Sequence, residues 1–371
     1  MAAFLRNYKR IVVKIGSSLL ADNKFVIRQS WLSTLVEDLM MLCDEKIEIV
    51  LVSSGAVALG RGSFRAEVAQ RKLSVAEKQA AAAIGQIKLL HTYQSEFLKY
   101  KREIAQVLLS LDDSETRQRY INAKNTLEML LKHKLIPIVN ENDTVATEEI
   151  SYGDNDRLAA RVAQMVDADL LILLSDIDGL YTANPNFDKN ARHIPLIETI
   201  DADIKSMAGE SHTKISSGGM ITKILAAEIA VENGADMIIC NGMQDHPISK
   251  LKKGSYSLFK GRQQRADARK RWISNHLNAK GTLVIDEGAK QALLLGKSLL
   301  AAGIVSTEGS YQATDMVNIY DSNNTLIALG MINYHSETIA LVKGKNKQKM
   351  QSLLNNESVK AVVHRNDMVM L

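Results

Sequence analysis

Cysteine is almost missing from this 371-residue chain: Cys43 and Cys240 are the only two, far apart and in no metal or redox spacing. That excludes a disulfide-stapled scaffold and a cysteine zinc site, and it suits a reducing compartment. Long apolar runs are lacking too. The longest aliphatic stretch, Leu170–Leu174, falls far short of the ~20 residues a membrane helix needs. Arg6, Lys9 and Arg10 precede an apolar run as in a signal peptide, but Lys14 interrupts it and no small-residue cleavage site follows. A cytoplasmic protein without a membrane partner is expected. The eight histidines show no metal-ligand spacing and no partnered Ser or Cys nucleophile. Hydrolase and zinc-enzyme chemistry therefore lack support, and no protein ligand for a metal is assigned.

Strong charge of one sign is also lacking. The net +4 is concentrated in Lys260–Arg271, where six Lys/Arg face one Asp, while the first 259 residues sum to −2 and the last hundred to +1. A mildly acidic body does not suit nucleic acid as the main substrate. The basic run reads as a solvated linker, with RNA or phosphate binding as the competing reading.

What is present is ordinary globular composition, 46% hydrophobic and 24% charged, in a chain long enough for two cores. Short aliphatic runs at Ile11–Lys14, Glu48–Val52, Ile104–Leu109, Ile136–Val139, Leu170–Leu174 and Met237–Cys240 read as strands. Helical spacing separates them at Trp31–Leu42, Val75–Leu98, Thr116–Leu131, Arg157–Val166 and Thr222–Val231. This alternation predicts an α/β domain over residues 1–259, with an open, largely parallel sheet sandwiched by helices. A basic linker, 260–275, leads to a smaller β-rich domain, 276–371, with one helical stretch around Ala289–Leu300.

Ligands of an open α/β sheet sit beyond the carboxyl ends of its strands, so residues just after each strand carry the information. Lys14-Ile15-Gly16-Ser17-Ser18 offers a point charge and a turn able to form an anion nest, although a lysine snorkelling from a strand end fits equally. Ser53-Ser54-Gly55-Ala56 opens a helix with small residues, either as an anion site or as a plain N-cap. Asn140-Glu141-Asn142-Asp143 and Gly153-Asp154-Asn155-Asp156-Arg157 crowd acids and amides after an apolar strand. They suit the ammonium and α-carboxylate of a free amino acid, or else form an exposed hydrophilic loop. Ser217-Gly218-Gly219-Met220-Ile221-Thr222-Lys223 is a glycine-rich turn entering a helix, which permits close approach to phosphate without being a Walker P-loop. No GxGxxG fingerprint follows the first strand.

In this order, the segments IVVKIGSS, VLVSSGAVALG, PIVNENDTVAT, GDND, LLILLSDIDGLYTANP and SGGMITK resemble the amino acid kinase family, specifically its branch acting on the γ-carboxylate of glutamate. The resemblance spans essentially the whole chain. It implies ATP-dependent phosphorylation of L-glutamate, the first step of proline biosynthesis, with N-acetylglutamate as the alternative substrate. Carried over residue by residue, it makes Lys14 and Lys223 the phosphoryl-transfer lysines and Asp156 their organiser. Ser54, Asp143 and Asn155 match substrate-binding positions, with Asn140 and Asp154 beside them. Lys14, Ser175, Asp176 and the loop of Ser217, Gly218, Gly219, Met220, Ile221, Thr222 and Lys223 match nucleotide positions. Ser175 and Ser217 stand where the family has threonine, and both keep the hydroxyl. ATP and Mg²⁺ as cofactors, proline as feedback inhibitor and a homo-oligomer, dimer or tetramer, are implied as well.

The segment from Gly281 resembles a PUA domain through IDEGAKQALLLGKSLLAAGI, with Thr314-Asp315 where Gly-Asp is usual and Asn324 where a turn glycine is common. PUA domains elsewhere bind RNA, so an RNA-binding protein is the reading from another class, although near-neutral charge here does not suit it.

Overall fold

Burial on both faces decides the central sheet of the first unit. In the computed structural model, which describes residues 3–110, 113–114, 116–145, 155–185, 187–208, 219–251, 255–261, 279–354 and 359–370, the chain divides into two compact units, Met1–Gln263 and Gln264–Leu371. Most of the basic run from Lys260 lies outside the described residues.

In the first unit the strands are β1 (Arg10–Ile15), β2 (Glu48–Val52), β3 (Ile104–Leu109), β4 (Ile136–Glu141), β5 (Leu170–Ser175), the short β6 (Leu180–Tyr181), β7 (His193–Ile194) and β8 (Leu196–Ile197), then β9 (Asp236–Asn241) and β10 (Tyr256–Phe259). Its helices are α1 (Ser17–Leu20), α2 (Gln29–Asp44), α3 (Ala56–Arg61), α4 (Ala66–Gln70), α5 (Val75–Leu98), α6 (Arg117–Lys132), α7 (Asn155–Met165), α8 (Ala202–Ser206) and α9 (Met220–Glu232). The main sheet runs β3-β4-β2-β1-β5-β9-β10-β8, parallel except between β9 and β10. Its antiparallel end escapes the sequence reading, because two-residue and four-residue strands carry too few positions for a period to register.

Side chains alternate across each strand. Ile11, Val13 and Ile15 join Trp31 and Leu35 of α2 and Tyr93 and Phe97 of α5 in one core. Val12, Val50 and Leu171 join Leu127 of α6, Leu158 and Val162 of α7 and Ile224 of α9 in the other. Strands covered on both faces read as continuous aliphatic runs, which is what the sequence offers.

Glycine sets the contact between α3 and α5. A Cβ on Gly60 would lie 1.7 Å from the Ala81 carbonyl oxygen, and one on Gly85 would lie 1.8 Å from that of Ala56. The backbones meet directly, and α3 follows the Ser53-Ser54 turn through Gly55, whose φ of 89° suits glycine.

The second unit is built on a five-stranded sheet, β12-β11-β13-β14-β15, from β11 (Gly281–Ile285), β12 (Ile304–Gly309), β13 (Met316–Tyr320), β14 (Leu326–Ile332) and β15 (Val363–Met370). The helix expected around Ala289–Leu300 is α10 (Glu287–Leu294), which starts on an Asp286 cap and gives way to Gly296 at φ 73° and to a bridge from Leu299 to Val363. Two further helices, α11 (Ser336–Val342) and α12 (Lys347–Leu353), were not anticipated. Thr314 and Asn324, the two departures noted above, both take positive φ, 79° and 61°.

Candidate active site

Strand parity aims Lys14. It lies two residues beyond Val12, so it shares the face covered by α7 and α9, and its register neighbours are Val52 and Leu173. Asp156 sits in the first turn of α7 and Lys223 in the first turn of α9. All three converge: Asp156 Oδ1 is 2.5 Å from Lys14 Nζ, and Lys223 Nζ donates to Asp156 Oδ2 at 2.9 Å. Asp156 is 0% exposed and each lysine 7%. Burial opposes the charged carboxylate, but the fields of Lys14 and Lys223 outweigh it and hold Asp156 down to about 2.

A second group lies beyond β2 and β4. Asn155 Nδ2 donates to the Ser53 carbonyl at 2.6 Å, to Ser54 Oγ at 3.0 Å and to Asn140 Oδ1 at 3.0 Å. Asn140 Oδ1 also accepts from the Glu141 amide at 2.9 Å, and Asn140 Nδ2 donates to Gln86 Oε1 at 2.7 Å. Asp143 stands nearby with its carboxyl pushed up to about 7 by burial and by the charge of Glu141. A carboxyl so displaced gains most from a cation arriving beside it.

A third group lies at the end of β5 and the start of α9, and of it Ser175, Asp176 and Lys223 line the cleft described below, whereas Gly219, Met220, Ile221 and Thr222 do not. Ser175 Oγ donates to Asp176 Oδ1 at 3.0 Å at the end of β5. Gly219 caps α9, its amide donating to Thr222 Oγ1, which donates back to the Gly219 carbonyl at 2.7 Å. Among the described residues, nothing lies within 4 Å of where a Cβ on Gly219 would stand. Met220 and Ile221 complete the turn before Lys223.

One cleft of about 680 Å³ gathers Lys14, Ser54, Asn140, Asp143, Asn155, Ser175, Asp176 and Lys223 along its walls. Asp156 lies behind it, reached through the lysines. Asp154, Ser217 and Gly218 fall outside the described residues. Sequence reasoning gave no role to Glu141, Arg61, Lys72 and Lys78, which also line the cleft. Glu141 was visible inside its motif. Arg61, Lys72 and Lys78 sit in a stretch that looks like any solvated helical segment, and nothing local marks them.

Comparison with known proteins identifies the family. A model described as the amino acid kinase family matches residues 9–241, and a PUA domain model matches residues 281–354. The chain belongs to the amino acid kinase family. It is 48% identical over 367 residues to a glutamate 5-kinase of Bartonella henselae, covering 99% of this chain and 96% of that protein. Glutamate 5-kinases of Rhodospirillum rubrum, 46% identical, and Pelagibacter ubique, 44% identical, are covered to 96% and 99% of their lengths by 97% and 99% of this chain. Lys14 and Lys223 line one cleft, and Asp156 joins them from behind it, all within the first unit.

Proposed function

We propose that this chain transfers the γ-phosphoryl group of ATP to the γ-carboxylate of L-glutamate, giving an acyl phosphate and ADP. The observation that carries the reading is the buried Lys14–Asp156–Lys223 clamp in the same cleft as Ser54, Asn140, Asp143 and Asn155. A carboxylate with a pKa near ~4.3 is already ionised at neutral pH, so the nucleophile needs no general base. The obstacle is repulsion between an anion and a polyanion. Lys14 neutralises the attacking oxygen and the group in transfer, and Lys223 with the start of α9 neutralises the leaving phosphates. Asp156 holds both ammonium groups and aims them into the cleft.

The nucleotide phosphates would rest against Gly219, Thr222 and Lys223, with Ser175 and Asp176 alongside. Among the described residues no group of three or more His, Cys, Asp or Glu forms a metal cage. Mg²⁺ would come with the nucleotide phosphates, with Asp176 on the cleft wall as a carboxylate able to help, and would supply further neutralisation of phosphate charge. Asp143 selects the substrate: a free α-ammonium pairs with its carboxylate, whereas an N-acetyl group leaves it unpaired at a cost of about 1–3 kcal/mol. Glutamate is therefore preferred to N-acetylglutamate. Among the described residues no helix is long and apolar enough to cross a membrane. A cytoplasmic location, a homo-oligomeric state and inhibition by proline complete the proposal and rest on the family resemblance.

The test is ATP-dependent hydroxamate formation in hydroxylamine with glutamate, N-acetylglutamate and aspartate offered separately. Hydroxamate from glutamate alone is expected. Equal product from N-acetylglutamate, or none from glutamate, overturns the reading.

A further inference from the structure

An asparagine amide looks the same from either side, and only its hydrogen-bond partners decide where its oxygen points. Asn140 is 1% exposed, and three neighbours settle its orientation. Its Oδ1 takes hydrogens from the Glu141 amide at 2.9 Å and from Asn155 Nδ2 at 3.0 Å, and its Nδ2 gives one to Gln86 Oε1 at 2.7 Å. With the amide turned over, Asn140 would set donors against the Glu141 N–H and Asn155 Nδ2, and Gln86 Oε1 would face an oxygen.

The consequence reaches the cleft through Asn155. Its NH₂ has two hydrogens, already shared among the Ser53 carbonyl, Ser54 Oγ and Asn140 Oδ1. Asn155 therefore offers an incoming ligand its Oδ1, an acceptor, which suits an ammonium group. Gln86 lies on α5, next to Gly85, whose backbone contact with Ala56 of α3 fixes the height of that helix beside the Ser54 turn.

We propose that Gln86 is a positioning residue of the acceptor site: by accepting from Asn140 Nδ2 it locks the Asn140–Asn155–Ser54 chain in the sense that presents an oxygen to the α-ammonium of the amino acid. This rests on the acceptor-site reading given above, and Gln86 itself does not touch substrate.

Three substitutions of similar length separate polarity from packing. Gln86→Glu keeps an acceptor, Gln86→Met removes it, and Gln86→Lys replaces it with a donor. Steady-state kinetics would be measured for glutamate and for ATP, with the melting temperature of each ligand-free variant. Expected are a glutamate KM within about threefold of wild type for Q86E, a rise of about tenfold or more for Q86K, and Q86M between them. The ATP KM should stay within about twofold throughout. A merely structural role would order the variants by melting temperature and move both KM values together, and that result overturns the proposal. So does a Q86K variant with unchanged glutamate KM. A wild-type chain that forms no glutamyl hydroxamate would overturn the acceptor-site reading and this inference with it, whereas an active wild type with indifferent Gln86 variants overturns the Gln86 assignment alone.

Discussion

Asp156→Asn is the sharpest test of the clamp. The substitution keeps the shape of the side chain but removes the charge that lies 2.5 Å from Lys14 Nζ and 2.9 Å from Lys223 Nζ. Two ammonium groups held on the two oxygens of one carboxylate repel, in surroundings of effective dielectric about 20, by roughly 2–4 kcal/mol. Each is only 7% exposed, so water screens them little. Removing one partner of a buried ion pair costs about 3–5 kcal/mol in measured cases, of the same order as this repulsion. The repulsion drives the two ammonium groups off the positions in which Asp156 holds them, so less of their charge bears on phosphoryl transfer. At 1.36 kcal/mol for each tenfold in rate, kcat is expected to fall by about 10²–10³. The KM values for ATP and glutamate should change far less, because Asp156 is fully buried and is not among the residues that line the cleft. The assay is coupled ADP release with both substrates varied, alongside thermal unfolding, where the variant should melt several degrees lower. A kcat within threefold of wild type would refute the reasoning, and so would a loss confined to the glutamate KM.

Asp143, held near 7 by burial and Glu141, must lose its proton to receive an ammonium group, so the glutamate KM should fall as pH rises from about 6 to 8 and lose that dependence in Asp143→Asn. Its raised pKa also means that stability contributed by this group in the ligand-free protein declines as pH climbs from about 4 to 7. Asp156, held low, contributes fully above the usual carboxylate range and is lost only as pH falls toward about 2; acid titrations of the two variants followed by circular dichroism separate the signs. Gly85→Ala places a Cβ 1.8 Å from the Ala56 carbonyl, so α3 and α5 must part; a loss of more than about 1–3 kcal/mol in urea unfolding and a raised glutamate KM are expected, and a stable, unaffected variant would refute the contact. Thr314→Gly relieves a β-branched residue at φ 79°, and with about 1–3 kcal/mol of strain set against about 0.5–1 for added chain freedom the second unit should gain roughly 1 kcal/mol in calorimetry.

What the sequence makes legible follows from range. Ile11–Lys14 announces a strand buried on both faces because both neighbours in its period are aliphatic, and the structure extends it by one residue at each end. The Ser53–Gly55 turn is legible because small residues after a strand have few other uses, whereas the glycine contact that fixes it depends on Gly85, far along the chain and featureless in its own helix. Gln86 is hidden for the same reason, since its partner lies 54 residues away. The antiparallel end of the sheet is lost because its strands are only two and four residues long, and α11 and α12 because seven residues give fewer than two helical turns, too few repeats to stand out. Ordered charge is legible only in company: Lys14 alone reads as a snorkelling residue, and Lys223, 67 residues from Asp156, as a helix-surface one.

The ratio of two lysines to one carboxylate has its own logic. With no carboxylate, two buried ammonium groups would face each other with nothing between them to offset their repulsion. With two, the ion cluster would be neutral and would offer a phosphoryl group no net attraction. One shared carboxylate offsets the repulsion between the two lysines while carrying less charge than they do together, so the three groups keep a net positive charge to set against an arriving anion. The same geometry couples the two ends of the transfer, because a shift of Asp156 toward either lysine weakens its hold on the other. A clamp built this way binds the group in flight best when it lies between attacking and leaving oxygens, which is where a phosphoryl-transfer catalyst needs its charge to be.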